Sequence, residues 1–256
     1  MRLNGQNIMT TSVIDCHAQV GTGETWAGPA RHVDYKIELL LERAAEAGID
    51  CCCIMAPRSQ SYEQPNREIG RICEKHPDKL IGFAVHSPQR EAGHIEMLLT
   101  AEVKSKGMKG LKTDGHPTRE VLDVVAELGI PVIYSPNPKE SAELPRMFHM
   151  MVSTYPTVNF ILPHLGSYRS ELWWAHIQTI DLLKRYHNLY AETSGVGSYK
   201  YLEMAARELP AEKLLFGSFG PELDPRVQYH AVKLLKLPGS QEAKVLGGNI
   251  QRLLPE

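Results

Sequence analysis

The 256-residue chain is 43% hydrophobic and 23% charged, an ordinary globular balance with length enough for one large core. Its 28 Lys and Arg nearly match its 30 Asp and Glu, for a formal net charge of −2. No basic surplus suggests nucleic acid, and no block of like charge suggests a tail. Residues 1–11 (MRLNGQNIMTT) lack the apolar core of a signal peptide, and no later stretch approaches the roughly eighteen apolar residues of a membrane span. A soluble, cytoplasmic protein without a membrane partner is therefore expected.

The first strand is short and β-branched, at residues 13–17 (VIDCH). A loop over 21–29 carries Trp26, and apolar residues at helical spacing predict a helix over 32–48 that stops at Gly48. A second strand, 50–55, contains three consecutive cysteines, Cys51, Cys52 and Cys53. Neighbours on a strand point to opposite faces, so the triplet cannot gather on one metal and reads as reduced, buried thiols. A polar loop with Arg58 and a helix over 64–76 follow, then a third strand, 79–86 (KLIGFAVH), and a helix over 91–106.

The fourth strand is 108–112 (MKGLK), followed by the loop TDGHP and a helix over 118–128. The fifth is 131–135, with a helix over 142–155; the sixth is 158–164 (VNFILPH), with a helix over 171–186 that holds Trp173 and Trp174. Adjacent helical positions diverge by about 100 degrees, so the two indoles cover the outside of the fold or an oligomer contact. The seventh strand is 188–193 (NLYAET), with a helix over 199–208; the eighth is 213–218 (KLLFGS), with helices over 225–237 and 241–254. Eight strands alternate with helices at spacings of roughly 22 to 37 residues, the length of one βα unit. With no linker or composition shift to divide it, the whole chain, 1–256, reads as one α/β domain, a single (β/α)8 TIM barrel.

Barrel sites lie at the carboxyl ends of the strands. There the sequence puts His17 and Gln19 on the first strand, Arg58 after the second, His86 on the third, and Lys112 with Asp114 and His116 on the fourth. Tyr134 and Ser135 follow from the fifth strand, His164 from the sixth, Glu192, Thr193 and Ser194 from the seventh, and Ser218 and Phe219 from the eighth. The amino ends show no comparable run of polar residues, and that asymmetry marks an active site.

IDCHAQVG, GMKGLK, NFILPHLGS, NLYAETSG and LLFGS, in register with successive strands, together with the closing VLGGNIQRLL, resemble the amidohydrolase superfamily, in particular its amidohydrolase-2 branch. That branch includes aromatic-acid decarboxylases, lactonases and related hydrolases. The resemblance implies one divalent ion, such as zinc, with His17 and His164 among its ligands. The family pattern is not complete: Gln19 stands where the second His of His-x-His is expected, Ser135 where the fifth strand carries a His, and Phe219 where the eighth presents an Asp. A carboxamide is a poor zinc ligand, and an apolar ring replaces a carboxylate base, so the site reads as degenerate, with the usual metal site lost or altered.

His164, unperturbed near pH 6.5, reads as the acid–base group. Lys112 supplies a cation for a carboxylate or oxyanion, and Glu192 serves as a substitute base. Arg58, Ser135, Tyr134, Ser218, Phe219, Gln19 and His86 are expected to line the substrate. The structural alternatives pair Lys112 with Asp114 or Glu192, and His164 with Ser218 or Glu192. The first expectation is a divergent hydrolase for a small carboxylated or cyclic substrate, a lactone or amide. The alternatives are a silent barrel that binds a ligand or pairs with an active relative, and a decarboxylase of the same family. By resemblance, the partners are a small molecule and a second copy in a homodimer.

Overall fold

The fold is described from a computed structural model, over residues 12–27, 29–134, 144–168 and 170–255. Expectations for residues 1–11 and for Ser135 lie outside the described residues.

Eight strands arise where short apolar runs occur: β1 (Ile14–Gln19), β4 (Cys51–Met55), β5 (Leu80–His86), β6 (Gly110–Thr113), β7 (Val132–Tyr134), β8 (Phe160–Leu162), β9 (Leu189–Glu192) and β10 (Leu214–Leu215). They pair in parallel in that order. The ring closes between its ends: Cys16 N–H donates to Phe216 O at 2.9 Å, Phe219 N–H to His17 O at 2.6 Å, and Gln19 N–H to Gly220 O at 2.7 Å. The result is the expected (β/α)8 barrel. Side chains such as Phe83, Phe160, Phe216, Ile54 and Met55 are fully buried on the two faces of the sheet.

The helices between the strands are α1 (Ile37–Ala47), α2 (Glu63–Lys75), α3 (Ile95–Lys106), α4 (Arg119–Leu128), α5 (Leu144–Thr154), α6 (Trp173–Arg185), α7 (Tyr199–Glu208) and α8 (Pro225–Leu234). Helices α1, α3 and α4 stop at Gly48, Gly107 and Gly129, as the sequence marks. The Thr118 hydroxyl caps α4 by accepting from Val121 N–H. Trp173 lies half-exposed on α6, its ring at a right angle to that of Trp174. All five cysteines are free thiols. Among the described residues no helix is long and apolar enough to cross a membrane.

The structure corrects the sequence reading between residues 21 and 36. An antiparallel hairpin, β2 (Gly21–Glu24) and β3 (His32–Tyr35), replaces the loop and the first turn of the expected helix. In HVDY, Val33 is buried while His32 and Asp34 are exposed, the period-two alternation of a half-buried strand. Reciprocal bonds between Glu24 and Arg58 backbones tie the hairpin to the loop after β4. The connection between β2 and β3 carries Trp26 over the barrel mouth, where its indole N–H donates to Ala56 O.

Strands β8 and β10 are shorter than expected for two reasons. Pro163 has no N–H for the ladder, and the chain leaves β8 in a tight turn. After Leu215 the backbone bonds away from β9, with Phe216 N–H donating to Val245 O at 2.8 Å. Val245 lies in a π-helical turn, Lys244–Gly248, between α9 (Gly239–Ala243) and α10 (Asn249–Leu253), so the expected final helix bulges in the middle. The bulge seats Gly247 against the entry to β1: a Cβ there would stand 1.9 Å from Ser12 O. That contact explains the first glycine of the VLGGNI pair as a packing feature.

Candidate active site

Four side chains from four strands or the turns after them, of which only β8 and β9 are neighbours, meet inside the barrel. His17 extends from β1, Lys112 from β6, His164 from the turn after β8, and Glu192 from the end of β9; at most 6% of any of them is exposed. His17 Nδ1 lies 3.1 Å from Glu192 Oε1, and its Nε2 lies 2.8 Å from Lys112 Nζ. A carboxylate only accepts, so Nδ1 carries the proton and donates. Nε2 then holds the ring's lone pair and accepts from Lys112. Burial drives the His17 pKa well below its usual 6.5, with the nearby Lys112 charge acting in the same direction. The neutral tautomer that the hydrogen bonds require is therefore also the favoured one.

Glu192 is the hub. Its Oε1 accepts from His17 Nδ1, from the His164 backbone N–H at 2.7 Å and from the Ser194 hydroxyl at 2.9 Å, while Oε2 accepts from Ser194 N–H at 2.6 Å. Gly217 makes this possible, because a Cβ there would fall 2.3 Å from Oε2. The glycine of LLFGS is thus the floor on which the carboxylate rests.

His164 and Leu165 hold positive φ angles of 58° and 48°, a region costly for residues other than glycine. The turn is braced twice, by Glu192 on the His164 amide and by His176 of α6, whose Nδ1 sits 3.0 Å from Leu165 O. His164 Nδ1 lies 3.0 Å from Ser194 O, a group that only accepts, so Nδ1 donates and Nε2 is the lone-pair nitrogen. Burial pushes the His164 pKa down to about 3; the carboxylate of Glu192 pulls it up, and His17 and Lys112 push it down. Phe219, itself at φ 58°, sets its ring 4.7 Å from His164 and 5.0 Å from His17. It thereby fills the side of the site where the family pattern calls for an Asp.

Lys112 is fully buried, and burial lowers its pKa to about 7, Glu192 opposing the drop and Arg58 adding to it. Its Nζ lies 4.6 Å from the centroid of the Trp26 ring, and the Arg58 guanidinium lies 4.9 Å from the same centroid. One indole thus spans two cations at the mouth. Lys112 pairs with His17, not with Asp114 or Glu192 as the sequence alternatives had it. Asp114 instead faces Arg90, Arg58 and the Tyr62 hydroxyl. The Gln19 amide is buried with neither its oxygen nor its nitrogen bonded.

Other expected residues lie outside this centre. Tyr134 turns its ring to Phe148 of α5 and its hydroxyl to His116. His86 gives Nδ1 to Glu91 at 2.8 Å, and its Nε2 is buried without a partner. Ser218 bonds Asp15 through both its amide and its hydroxyl, so it does not reach His164. Asp15 escaped the sequence reading altogether. It is fully buried and also accepts from His17 N–H at 3.0 Å, tying β1 to the loop that presents Phe219. Its one signal was a carboxylate inside an apolar strand, which rarely occurs without a bonding role.

Residues 14–255 match the family model described as Amidohydrolase. The chain belongs to that family. A search of curated proteins returns no match. Among solved structures, 2,6-dihydroxybenzoate decarboxylase from Rhizobium superposes with a TM-score of 0.74 at 16% identity, over 95% of this chain and 98% of that one. A dihydroxybenzoic acid decarboxylase from Polaromonas sp. JS666, with bound manganese and 2-nitroresorcinol, gives 0.74 at 17%, over 95% and 96%. A probable 2-pyrone-4,6-dicarboxylic acid hydrolase from Acinetobacter baumannii, with citric acid bound, gives 0.71 at 17%, over 94% and 98%. At these identities the likeness is one of fold.

The metal that the family implies can be tested against the donors present. His17, His164 and Glu192 have ligand atoms within 4.8 Å of one another, close enough to reach one ion. As arranged, they do not fit one. The His17 lone pair points at Lys112 Nζ, Glu192 is occupied by four donors, and Phe219 packs on both rings.

Proposed function

We propose that this amidohydrolase-family protein hydrolyses a small, carboxylated cyclic ester or amide without a metal cofactor. The observation that carries the reading is the pair of cationic side chains, Lys112 and Arg58, 4.6 and 4.9 Å from the centroid of the Trp26 ring, with Lys112 also against the neutral His17. A substrate carboxylate pairs with Arg58 at the rim, where the guanidinium is partly exposed. The scissile carbonyl then lies between Lys112 and His164.

His164 Nε2 orients the attacking water and takes its proton as the water oxygen bonds to the carbonyl carbon. A pKa of about 3 makes it a weak base in the free protein. Lys112, titrating near 7, donates to the carbonyl oxygen as negative charge develops there, and the Gln19 amide supplies a second donor. The bond from the carbonyl carbon to the ring oxygen or nitrogen then breaks, and the leaving heteroatom takes the proton that His164 received from the water, which returns His164 to its neutral form. Glu192 positions His17 and the His164 turn rather than acting as the base itself.

The test is a panel of small carboxylated lactones, cyclic amides and hydroxybenzoates, assayed for acid release and for CO2, with wild type and His164→Gln. Acid release without CO2, lost in the variant while the circular dichroism spectrum is unchanged, is the expected result. CO2 release from hydroxybenzoates would replace this reading with the decarboxylase one. No turnover on any substrate would favour a silent, ligand-binding barrel.

A further inference from the structure

We infer that the Lys112 side chain occupies the metal position of this barrel, so that a residue of the chain itself blocks the ion. The evidence is independent of the hydrolase reading. Metal-binding histidines commonly donate one ring N–H to a carboxylate and give the other nitrogen to the ion. His17 has that arrangement up to the last step: Nδ1 faces Glu192 Oε1 at 3.1 Å, and at Nε2, where the ion would sit, Lys112 Nζ stands at 2.8 Å. A zinc-type ion would need that same lone pair at about 2.1 Å. The two occupants exclude each other by volume, and by charge whenever the lysine is protonated.

The neighbours suit the lysine and not an ion. The Trp26 face lies 4.6 Å from Nζ, a setting for a cationic or N–H donor and not for a coordination shell. On β1, the position two residues after His17 is Gln19, whose buried amide has no partner. The Phe219 ring closes the opposite side, 5.0 Å from His17. What remains beneath Lys112 is still a cluster of metal-capable groups, His17, His164 and Glu192, within 4.8 Å of one another. Lys112 is the barrier that stands on the His17 lone pair itself.

Calorimetric titration with MnCl2 and, separately, ZnCl2 tests this on full-length protein stripped with chelator and dialysed. Wild type, Lys112→Ala, Lys112→Met and Lys112→Ala/His17→Ala are compared, with folding checked by circular dichroism. Lys112→Met keeps the aliphatic stem while deleting the N–H donor and charge, so a result stands even if the smaller side chain unfolds the barrel. The expected outcome is no saturable site in wild type. The single variants should each bind one ion per chain, tighter by about 10- to 100-fold, the range over which one change around a metal site moves affinity. The double variant should lose that gain. One ion per chain in wild type, with affinity unchanged on losing Lys112, would overturn the inference. So would folded single variants that bind no more tightly than wild type. Because the readout is ion binding rather than turnover, failure of the hydrolase reading would leave this result standing.

Discussion

Asp15→Asn separates the electrostatic cost of the buried β1 carboxylate from the hydrogen bonds it makes. Burial raises the Asp15 pKa from 3.8 to about 6, against the lowering effect of bonds from Ser218 and the His17 amide. A carboxyl whose folded pKa is raised stabilises the fold fully below the unfolded value and loses that contribution as pH rises through the folded one. The gap between about 6 and 3.8 is worth about 3 kcal/mol. An Asn oxygen can still accept from the amides of His17 and Ser218, now 3.0 and 2.8 Å from Oδ1. Its NH2 would face the Ser218 oxygen, which already accepts from Gly220 N–H, so the Ser218 proton loses its acceptor. That loss costs about 1 kcal/mol.

The variant should therefore be less stable than wild type by about 0.5 kcal/mol at pH 4 and more stable by about 2 kcal/mol above pH 7. Urea unfolding of both proteins at half-unit steps between pH 4 and 8 measures the difference, and subtracting the two curves cancels the other titrating groups. A difference that stays flat across that range would refute the reasoning.

Replacing the hub, Glu192→Gln, turns an amide NH2 toward a donor and strands the Ser194 N–H or its neighbours. An orphaned buried donor costs about 1–3 kcal/mol, which should lower the melting temperature by about 2–12 °C for a chain of this size; an unchanged melting temperature would argue against the four-bond assignment. Phe219→Ala should cost about 3–5 kcal/mol from the cavity it leaves. Because φ is 58° there, Phe219→Gly should be better tolerated than Phe219→Ala by about 1 kcal/mol, the reverse of the usual order, as denaturant midpoints would show. Gly247→Ala should destabilise by about 1–3 kcal/mol or more, since its Cβ meets Ser12 O at 1.9 Å. Helix propensity alone predicts a gain of about 1 kcal/mol, so the sign of the measured change decides between packing and propensity.

Much of this protein was legible in the chain because local patterns suffice to specify it. Apolar runs at βα-unit spacing, helices ending at Gly48, Gly107 and Gly129, and polar residues gathered at the strand ends pointed to the barrel and to the end that carries its site. The motifs around His17, Lys112, His164 and Gly217 pointed to the amidohydrolase family. The β2–β3 hairpin was not legible, because four residues of alternation in HVDY run straight into a helical pattern. What the tertiary structure alone decided was who bonds to whom. Lys112 and His17 are 95 positions apart, and His17 and Glu192 are 175 apart. Closing the barrel brings their strands to one interior, and no local rule specifies which donor meets which acceptor there. That closure placed a lysine on the lone pair of the first-strand histidine, which sequence spacing could not reveal.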